Sequence, residues 1–346
     1  MTNPERSAMK VVSYAARAAK GPLEPFEFEA GPLGADEVDV AVTHCGICHT
    51  DVGMVDNEWG ISQYPVVAGH EAVGTVAAVG FNVDQDRLRV GQRVGVGAIS
   101  GACMKCEWCM AGKHNVCANR VDTVMRGHLG GFASHVRASH WQFVYPIPDE
   151  LSSEQAGPLL CAGATVFTPL LRYGVRPTDR VAVVGIGGLG HLALQFLSKW
   201  GCDVTAITSS RDKEQQAREF GAHRVVATRD TDALTSVAGS FDFILSTVPA
   251  DLPWDEYVGA LRPRGTLCIV GGPENPISVG AFTLLPAEKV VAGGIPGSPV
   301  ETTQMLEFAA RHGIRPMVET FPMTEADRAL HHVRQGNPRF RAVLVA

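Results

Sequence analysis

The feature that most limits how this chain can fold is Gly185-Ile186-Gly187-Gly188-Leu189-Gly190, which follows the β-branched run VAVV (181–184) and opens the helical stretch GLGHLALQFLSKWG (188–201). Strand, glycine turn and helix in that order make the first turn of a dinucleotide-binding sheet. The glycines permit the tight turn and let the backbone approach a pyrophosphate, which then lies at the positive end of the helix dipole. Further strand-like runs follow at DVTAIT (203–208), RVVA (224–227), FDFILS (241–246), TLCIVG (266–271) and KVVAGG (289–294). About six strands alternating with helical segments predict a doubly wound parallel sheet.

The texture before this half is different. Short valine-rich runs, EVDVAV (37–42), GTVAAVG (74–80) and QRVGVG (92–97), are punctuated by Gly and Pro and read as a β-rich domain. After Pro299 come two helical segments, ETTQMLEFAARHG (301–313), closing on Gly313, and TEADRALHHVRQG (324–336), opening on a capping-box-like Thr324/Asp327 pair. The last run, RAVLVA (341–346), reads as a strand that returns to the first domain. The expected fold class is α/β: a β-rich domain over residues 1–157, completed by 299–346, and a Rossmann cofactor domain over 158–298.

Cysteine spacing supplies the second constraint. Cys103-x2-Cys106-x2-Cys109-x7-Cys117 places four thiols within fifteen positions, a soft donor set that suits a closed tetrahedral zinc better than an iron–sulfur cluster. A closed site has no open position, so its expected duty is to staple a lobe. The chain holds nine cysteines, and its opening MTNPERSAMK lacks the apolar stretch of a secretory signal. That combination favours metal ligation in a reducing, cytoplasmic setting over a disulfide framework. A formal net charge of −6 with no long Lys/Arg run argues against a nucleic-acid partner. The most apolar stretch, 181–197, holds four glycines, a His and a Gln and is shorter than the roughly 20 residues that span a bilayer. A small-molecule partner is expected, and no membrane.

An NAD-binding sheet usually ends its second strand with an acid that bonds the ribose 2′-hydroxyl. Here that place reads Thr208-Ser209-Ser210-Arg211-Asp212-Lys213. Ser209, Ser210, Arg211 and Lys213 offer two hydroxyls and two cations to a 2′-phosphate, so NADP(H) is expected in preference to NAD(H).

A third signal is scattered: His44-Cys45-Gly46-Ile47-Cys48-His49-Thr50-Asp51, Gly69-His70-Glu71 and Pro158-Leu159-Leu160-Cys161. A single buried Cys or His is more often packed than ligating. Together the fragments offer two thiolates and an imidazole, a known catalytic zinc set that leaves one position open. Spacing alone does not choose between Cys45 and Cys48.

Taken in order, GICHTD (46–51), GHEAVG (69–74), the four-cysteine lobe, LLCAGATV (159–166) and VGIGGLGH (184–191) resemble the zinc-containing medium-chain alcohol dehydrogenases, in their cinnamyl-alcohol-dehydrogenase-like branch. The likeness runs over nearly the whole chain and implies that the β-rich domain is GroES-like. It implies Cys48, His70 and Cys161 as ligands of a catalytic zinc, with Cys45 a packed thiol, and Cys103, Cys106, Cys109 and Cys117 around a structural one, two zincs per chain. Glu71 becomes a carboxylate beside the metal, Asp51 the acid that orients His70, and Thr50 the hydroxyl that takes the alcohol proton. His49 and Arg341 become the cations that meet the pyrophosphate; Thr165, Val248 and Ile295 join the cofactor site; Trp59 stands at the mouth of the substrate pocket. Many relatives carry a histidine three residues after the relay hydroxyl, where this chain has Gly53, so the proton is expected to pass from Thr50 and the cofactor ribose to water. His191 reads as packing, and His331 and His332 as solvent-facing.

The expected activity is that of a zinc-dependent alcohol dehydrogenase or aldehyde reductase. It would transfer hydride between NADP(H) and a primary alcohol or aldehyde, aromatic or of medium chain length, in a homodimer or homotetramer built through the cofactor domain. The competing readings are an NAD-linked zinc alcohol or polyol dehydrogenase, a zinc-free quinone or enoyl reductase, which has no use for the zinc cysteines, and a zinc-stapled nucleic-acid module, which the acidic balance disfavours.

Overall fold

The computed structural model describes residues 9–125 and 129–346, so of the opening MTNPERSAMK only Met9 and Lys10 lie within the described residues. The chain forms two compact units: one takes residues up to Cys161 together with Gly297–Ala310 and Pro316–Ala346, the other Ala162–Pro296 and Arg311–Arg315.

The first unit is built on a mixed seven-stranded sheet. Its path runs Val144–Pro146, Arg93–Val96, Glu71–Val79, Val38–Ile47, Arg341–Val345, Val318–Pro322, with His135–Ala138 also pairing with Val38–Ile47. The central strand Val38–Ile47 is buried along most of its length because neighbours flank it on both sides. A three-stranded sheet, Leu23–Ala30, Met9–Ala16, Val66–Val67, lies in the same unit. Val38, Val40, Cys45, Val76, Val94, Phe132 and Leu344 share one core cluster. The last strand pairs antiparallel with the central one, Val343 opposite Gly46, which brings the end of the chain beside the motif 46–51.

One detail of the local reading needs correction. Residues Met323–Glu325 form a 3-10 turn, and the helix begins at Ala326 with Glu325 as N-cap and no side-chain cap bond. The proposed Thr324/Asp327 box does not form because Asp327 accepts instead from the backbone N–H of Leu23 at 2.8 Å. The preceding helix, Pro299–His312, is followed by Gly313 at φ +65°, a left-handed position that suits glycine.

The second unit is a six-stranded parallel sheet in the order Arg224–Ala227, Asp203–Thr208, Arg180–Val184, Phe241–Ser246, Leu261–Ile269, Val290–Gly293. The crossover order is that of a doubly wound dinucleotide fold. Val181, Ala182 and Val183 are fully buried, as expected of a parallel strand covered on both faces. Helix Gly190–Trp200 buries Leu192, Ala193, Leu194, Phe196 and Leu197 and stops at Gly201, φ +105°. At the far edge, among the described residues, the strand Val290–Gly293 has partners on one side only, and Phe282, Leu285 and Val290 are exposed near it in sequence. Among the described residues no helix is long and apolar enough to cross a membrane.

Candidate metal centres and cofactor loop

In the first unit Cys48, His70, Glu71 and Cys161 each present a ligand atom, all within 4.8 Å of one another and all buried. Local structure explains how they converge. Cys48 is the extended N-cap of helix His49–Asp56, and Asp51 at its third position accepts the Cys48 N–H at 2.9 Å. Gly69 adopts φ +99°, a left-handed turn that delivers His70 and Glu71 at the start of strand Glu71–Val79. Cys161 lies on a π-helical turn, Leu159–Gly163, between two α-helical segments. Pro158 has no N–H to continue the α-helical ladder, and π turns of this kind recur at functional sites.

Asp51 is the organiser. Besides Cys48 it accepts from the Gly69 N–H at 2.8 Å and from His70 Nδ1 at 2.9 Å. The second contact fixes the imidazole tautomer and leaves Nε2 facing the thiols, 3.2 Å from Cys161 Sγ. The two sulfurs are 4.0 Å apart. Hydrogen bonding from Cys161 holds the Cys48 thiol well below its ordinary value despite burial. Burial lifts the Glu71 carboxyl to about 7 against the pull of Arg341. Glu71 Oε2 is buried with no hydrogen-bond partner. Two thiols, the imidazole nitrogen that faces them and an orphaned carboxylate oxygen fit a zinc ion held by Cys48, His70 and Cys161, with Glu71 beside it.

Cys45, the other candidate by spacing, is fully buried on the strand Val38–Ile47 and packs against the backbone of Gly69 and Gly131. Its thiol donates at 3.6 Å to the Gly46 carbonyl, and it is not part of the converging set.

The four-cysteine lobe shows a second convergence. Sulfur separations are 3.9 Å for Cys103–Cys109, 3.8 Å for Cys106–Cys117 and 3.5 Å for Cys103–Cys117. A tetrahedron with zinc–sulfur bonds of about 2.3 Å has edges of about 3.8 Å, whereas a disulfide would need about 2.05 Å; all four cysteines are free. The backbone N–H groups of Lys105 and Cys106 pull the Cys103 thiol down to about 6, so one thiolate is favoured before any ion arrives.

The remaining predicted residues fall as follows. Thr50 Oγ1 is 3.9 Å from Cys48 Sγ. His49 is largely exposed, 3.4 Å from Glu58. Trp59 is 46% exposed, and a Cβ at Gly53 would sit 2.7 Å from its ring and 3.0 Å from the Glu58 carboxylate. The space a relay histidine would enter is therefore filled by Trp59 and Glu58. Arg341, read from the resemblance as a cation presented to pyrophosphate, is 5% exposed, with Nη2 donating to Glu71 and Nε without a partner. Sequence reasoning missed this pair, whose members stand 270 positions apart.

In the second unit Gly185 has φ +87°, and a Cβ there would meet Val248 at 2.2 Å. A Cβ at Gly190 would meet the Gly185 carbonyl at 1.8 Å, while none of the protein lies within 4 Å of one at Gly187. Two glycines are thus demanded by the turn itself, and the third leaves the backbone open to a ligand. His191 is fully buried, with both its backbone N–H and Nδ1 donating to the Gly187 carbonyl, at 3.1 and 3.0 Å, so the imidazole braces the loop. Leu189 caps the helix that starts at Gly190. Thr165 is buried in helix Ala164–Arg172, and Ile295 is half-buried.

A parallel sheet with a glycine turn at its first helix and a convergent thiol–imidazole set in a separate β-rich unit are the features of a zinc-containing dehydrogenase family. The chain matches the alcohol dehydrogenase GroES-like domain over residues 34–149 and the zinc-binding dehydrogenase domain over residues 188–311. It is 46% identical to the aldehyde reductase AdhA of Synechocystis sp. over 334 residues, 96% of this chain and 98% of that protein. Among solved structures it is similar to a cinnamyl alcohol dehydrogenase (SbCAD4) from Sorghum bicolor, with TM-score 0.91, 35% identity and coverage of 97% and 98%. It is also similar to the cinnamyl alcohol dehydrogenase (CAD) of Helicobacter pylori complexed with NADP(H), with TM-score 0.87, 26% identity and 98% of each chain covered. The chain belongs to the zinc-containing medium-chain dehydrogenase family, in its cinnamyl-alcohol-dehydrogenase-like branch, and is an alcohol/aldehyde oxidoreductase.

Proposed function

We propose that this protein is a two-zinc, NADP(H)-linked alcohol dehydrogenase that interconverts primary alcohols, aromatic or of medium chain length, and their aldehydes. The observation that carries the reading is the buried convergence of the Cys48 and Cys161 thiols with Nε2 of His70. When bound there, zinc supplies Lewis acidity that makes the alcohol proton easier to remove and the aldehyde carbonyl easier to reduce. The chain's own residues do the rest. Asp51 holds the Nδ1 proton of His70, Thr50 offers a hydroxyl beside Cys48 to accept the substrate proton, and burial of the donor set keeps bulk water away. Glu71, tied to Arg341 through one oxygen, keeps the other free to approach the metal during exchange. The exposed indole of Trp59 offers a stacking surface for an aromatic substrate.

Support for NADP(H) comes from the loop 208–213, which has no acid at the strand end and carries Arg211 there. A guanidinium–phosphate contact is worth about 1.5–3 kcal/mol, so kcat/KM with NADPH should exceed that with NADH by at least about tenfold. Arg211→Ala should remove most of that ratio. Initial rates on cinnamaldehyde, hexanal and a polyol, each with both cofactors, test substrate and cofactor together. A preference for NADH, or for the polyol, would overturn the corresponding part of the reading.

We further propose assembly through the cofactor unit, where the one-sided edge strand Val290–Gly293 and exposed Phe282 and Leu285 suit a second copy. Phe282→Asp combined with Leu285→Asp should give monomers by light scattering; an unchanged mass would remove that surface from consideration.

A further inference from the structure

The loop after strand Asp203–Thr208 is where a dinucleotide's adenosine ribose is read, and three of its polar side chains, Ser210, Arg211 and Lys213, already have partners. Ser210 Oγ donates to Asp212 at 2.8 Å, and Lys213 Nζ reaches back to the Ile186 carbonyl of the glycine turn at 3.0 Å. Arg211 is held most completely. Its Nη2 and Nε both donate to Asp230 Oδ2, at 2.8 and 3.2 Å, and its Nη1 to Glu214 at 3.1 Å.

The two carboxylates are not equivalent. Glu214 has a second cation, Arg218, at 3.0 Å. Asp230, among the described residues, pairs with Arg211 alone. It is also well fixed: its N–H donates to the Ala227 carbonyl at 3.0 Å, at the end of the strand Arg224–Ala227 that neighbours Asp203–Thr208, with Thr208 opposite Ala227. A backbone turn therefore aims this carboxylate at the guanidinium.

We propose that Asp230 sets the cofactor discrimination of this enzyme by competing with the 2′-phosphate for Arg211, so that binding NADP(H) is an exchange of anions on one guanidinium. The inference rests on the 2′-phosphate reading of this loop made above. A phosphate monoester carries more charge than a carboxylate and has three acceptor oxygens for the planar fork, so it wins the exchange. A ribose hydroxyl does not, and with NAD(H) the Arg211–Asp230 pair stays closed. Both side chains are about half exposed, 59% and 47%, so the pair itself is weak. Its removal should therefore tune the preference and not create it.

The test is calorimetric titration of the full-length protein with 2′,5′-ADP and with 5′-ADP, which lacks the 2′-phosphate. The proteins are the wild type, Asp230→Asn, Asp230→Glu, Arg211→Ala and the Arg211→Ala/Asp230→Asn double variant. Asp230→Asn should tighten 2′,5′-ADP by roughly three- to fivefold and leave 5′-ADP within about twofold, with Asp230→Glu close to wild type. Without Arg211 the gain from Asp230→Asn should fall below about twofold. Equal tightening of both nucleotides, no tightening of either, or a gain that persists without Arg211 would overturn the proposal. A wild type that favours 2′,5′-ADP but ignores Asp230→Asn defeats this inference alone. A wild type that binds the two nucleotides equally and ignores Arg211→Ala defeats the 2′-phosphate reading as well.

Discussion

Alanine in place of Cys161 is expected to lower kcat/KM by at least about 10³-fold, equivalent to about 4 kcal/mol of transition-state stabilisation. The metal content should fall by one equivalent per chain. Cys161 is 8% exposed and sits on a π turn whose geometry serves to point this one thiol at His70 and Cys48. Without it two ligand residues remain, and two ligands do not retain zinc against buffer. Asp51→Asn gives a graded companion: the ligands stay, the His70 tautomer is no longer enforced, and a loss of about 10- to 100-fold is expected. Metal analysis alongside initial rates reads both variants, with circular dichroism to confirm the fold. Retention of activity within tenfold in Cys161→Ala would remove these residues from the chemistry.

Cys103→Ser should produce the opposite signature: a large loss of stability with a modest loss of rate. The lobe contains a four-residue helix, Glu107–Met110, a 3-10 turn, His114–Val116, and a two-stranded sheet, while Trp108, Met110 and Val116 point outward. Within 103–117 the buried hydrophobic positions are Cys109 and Cys117, so an ion held by the four sulfurs would carry much of the lobe's stability. Losing about 3 kcal/mol of metal-linked folding energy should lower the melting temperature by about 4–7 °C. One zinc equivalent should be lost, and kcat/KM below the new midpoint should stay within about fivefold. Scanning calorimetry and metal analysis check it; an unchanged midpoint would mean that the lobe is held by something other than metal.

The two halves of the molecule were unequally legible from the amino-acid order. In the cofactor unit the glycine turn, the strand before it and the helix after it are contiguous, and the central strands Arg180–Val184, Asp203–Thr208 and Phe241–Ser246 are largely buried runs whose composition announces them. The four-cysteine lobe was equally plain because all its donors lie within one loop. The catalytic set was not, because its members come from a helix cap, a left-handed glycine turn and a π turn far apart in sequence. Spacing left Cys45 and Cys48 equivalent, and the resemblance pointed to Cys48. The fold gives the physical reason: Cys45 belongs to a strand and is wedged against Gly69 and Gly131, whereas Cys48 begins a helix. The Glu71–Arg341 and Arg211–Asp230 pairs left no local trace, since each joins residues that only strand pairing makes neighbours. Thr324 misled for a related reason: a capping pattern is read from nearby residues, and Asp327 is committed to a backbone group 304 positions away.

The antiparallel pairing of Arg341–Val345 with Val38–Ile47 also imposes an order in time. A ribosome delivers the chain from its N-terminus, so the lobe 103–117 can close on its ion while synthesis is still under way. The pocket of Cys48, His70, Glu71 and Cys161 lacks its counter-charge until the strand Arg341–Val345 has emerged. Until then Glu71 has no cation to hold it. If both sites take metal as proposed, the four-cysteine lobe can be filled before Arg341 has been made, whereas the set around Glu71 is completed only afterwards.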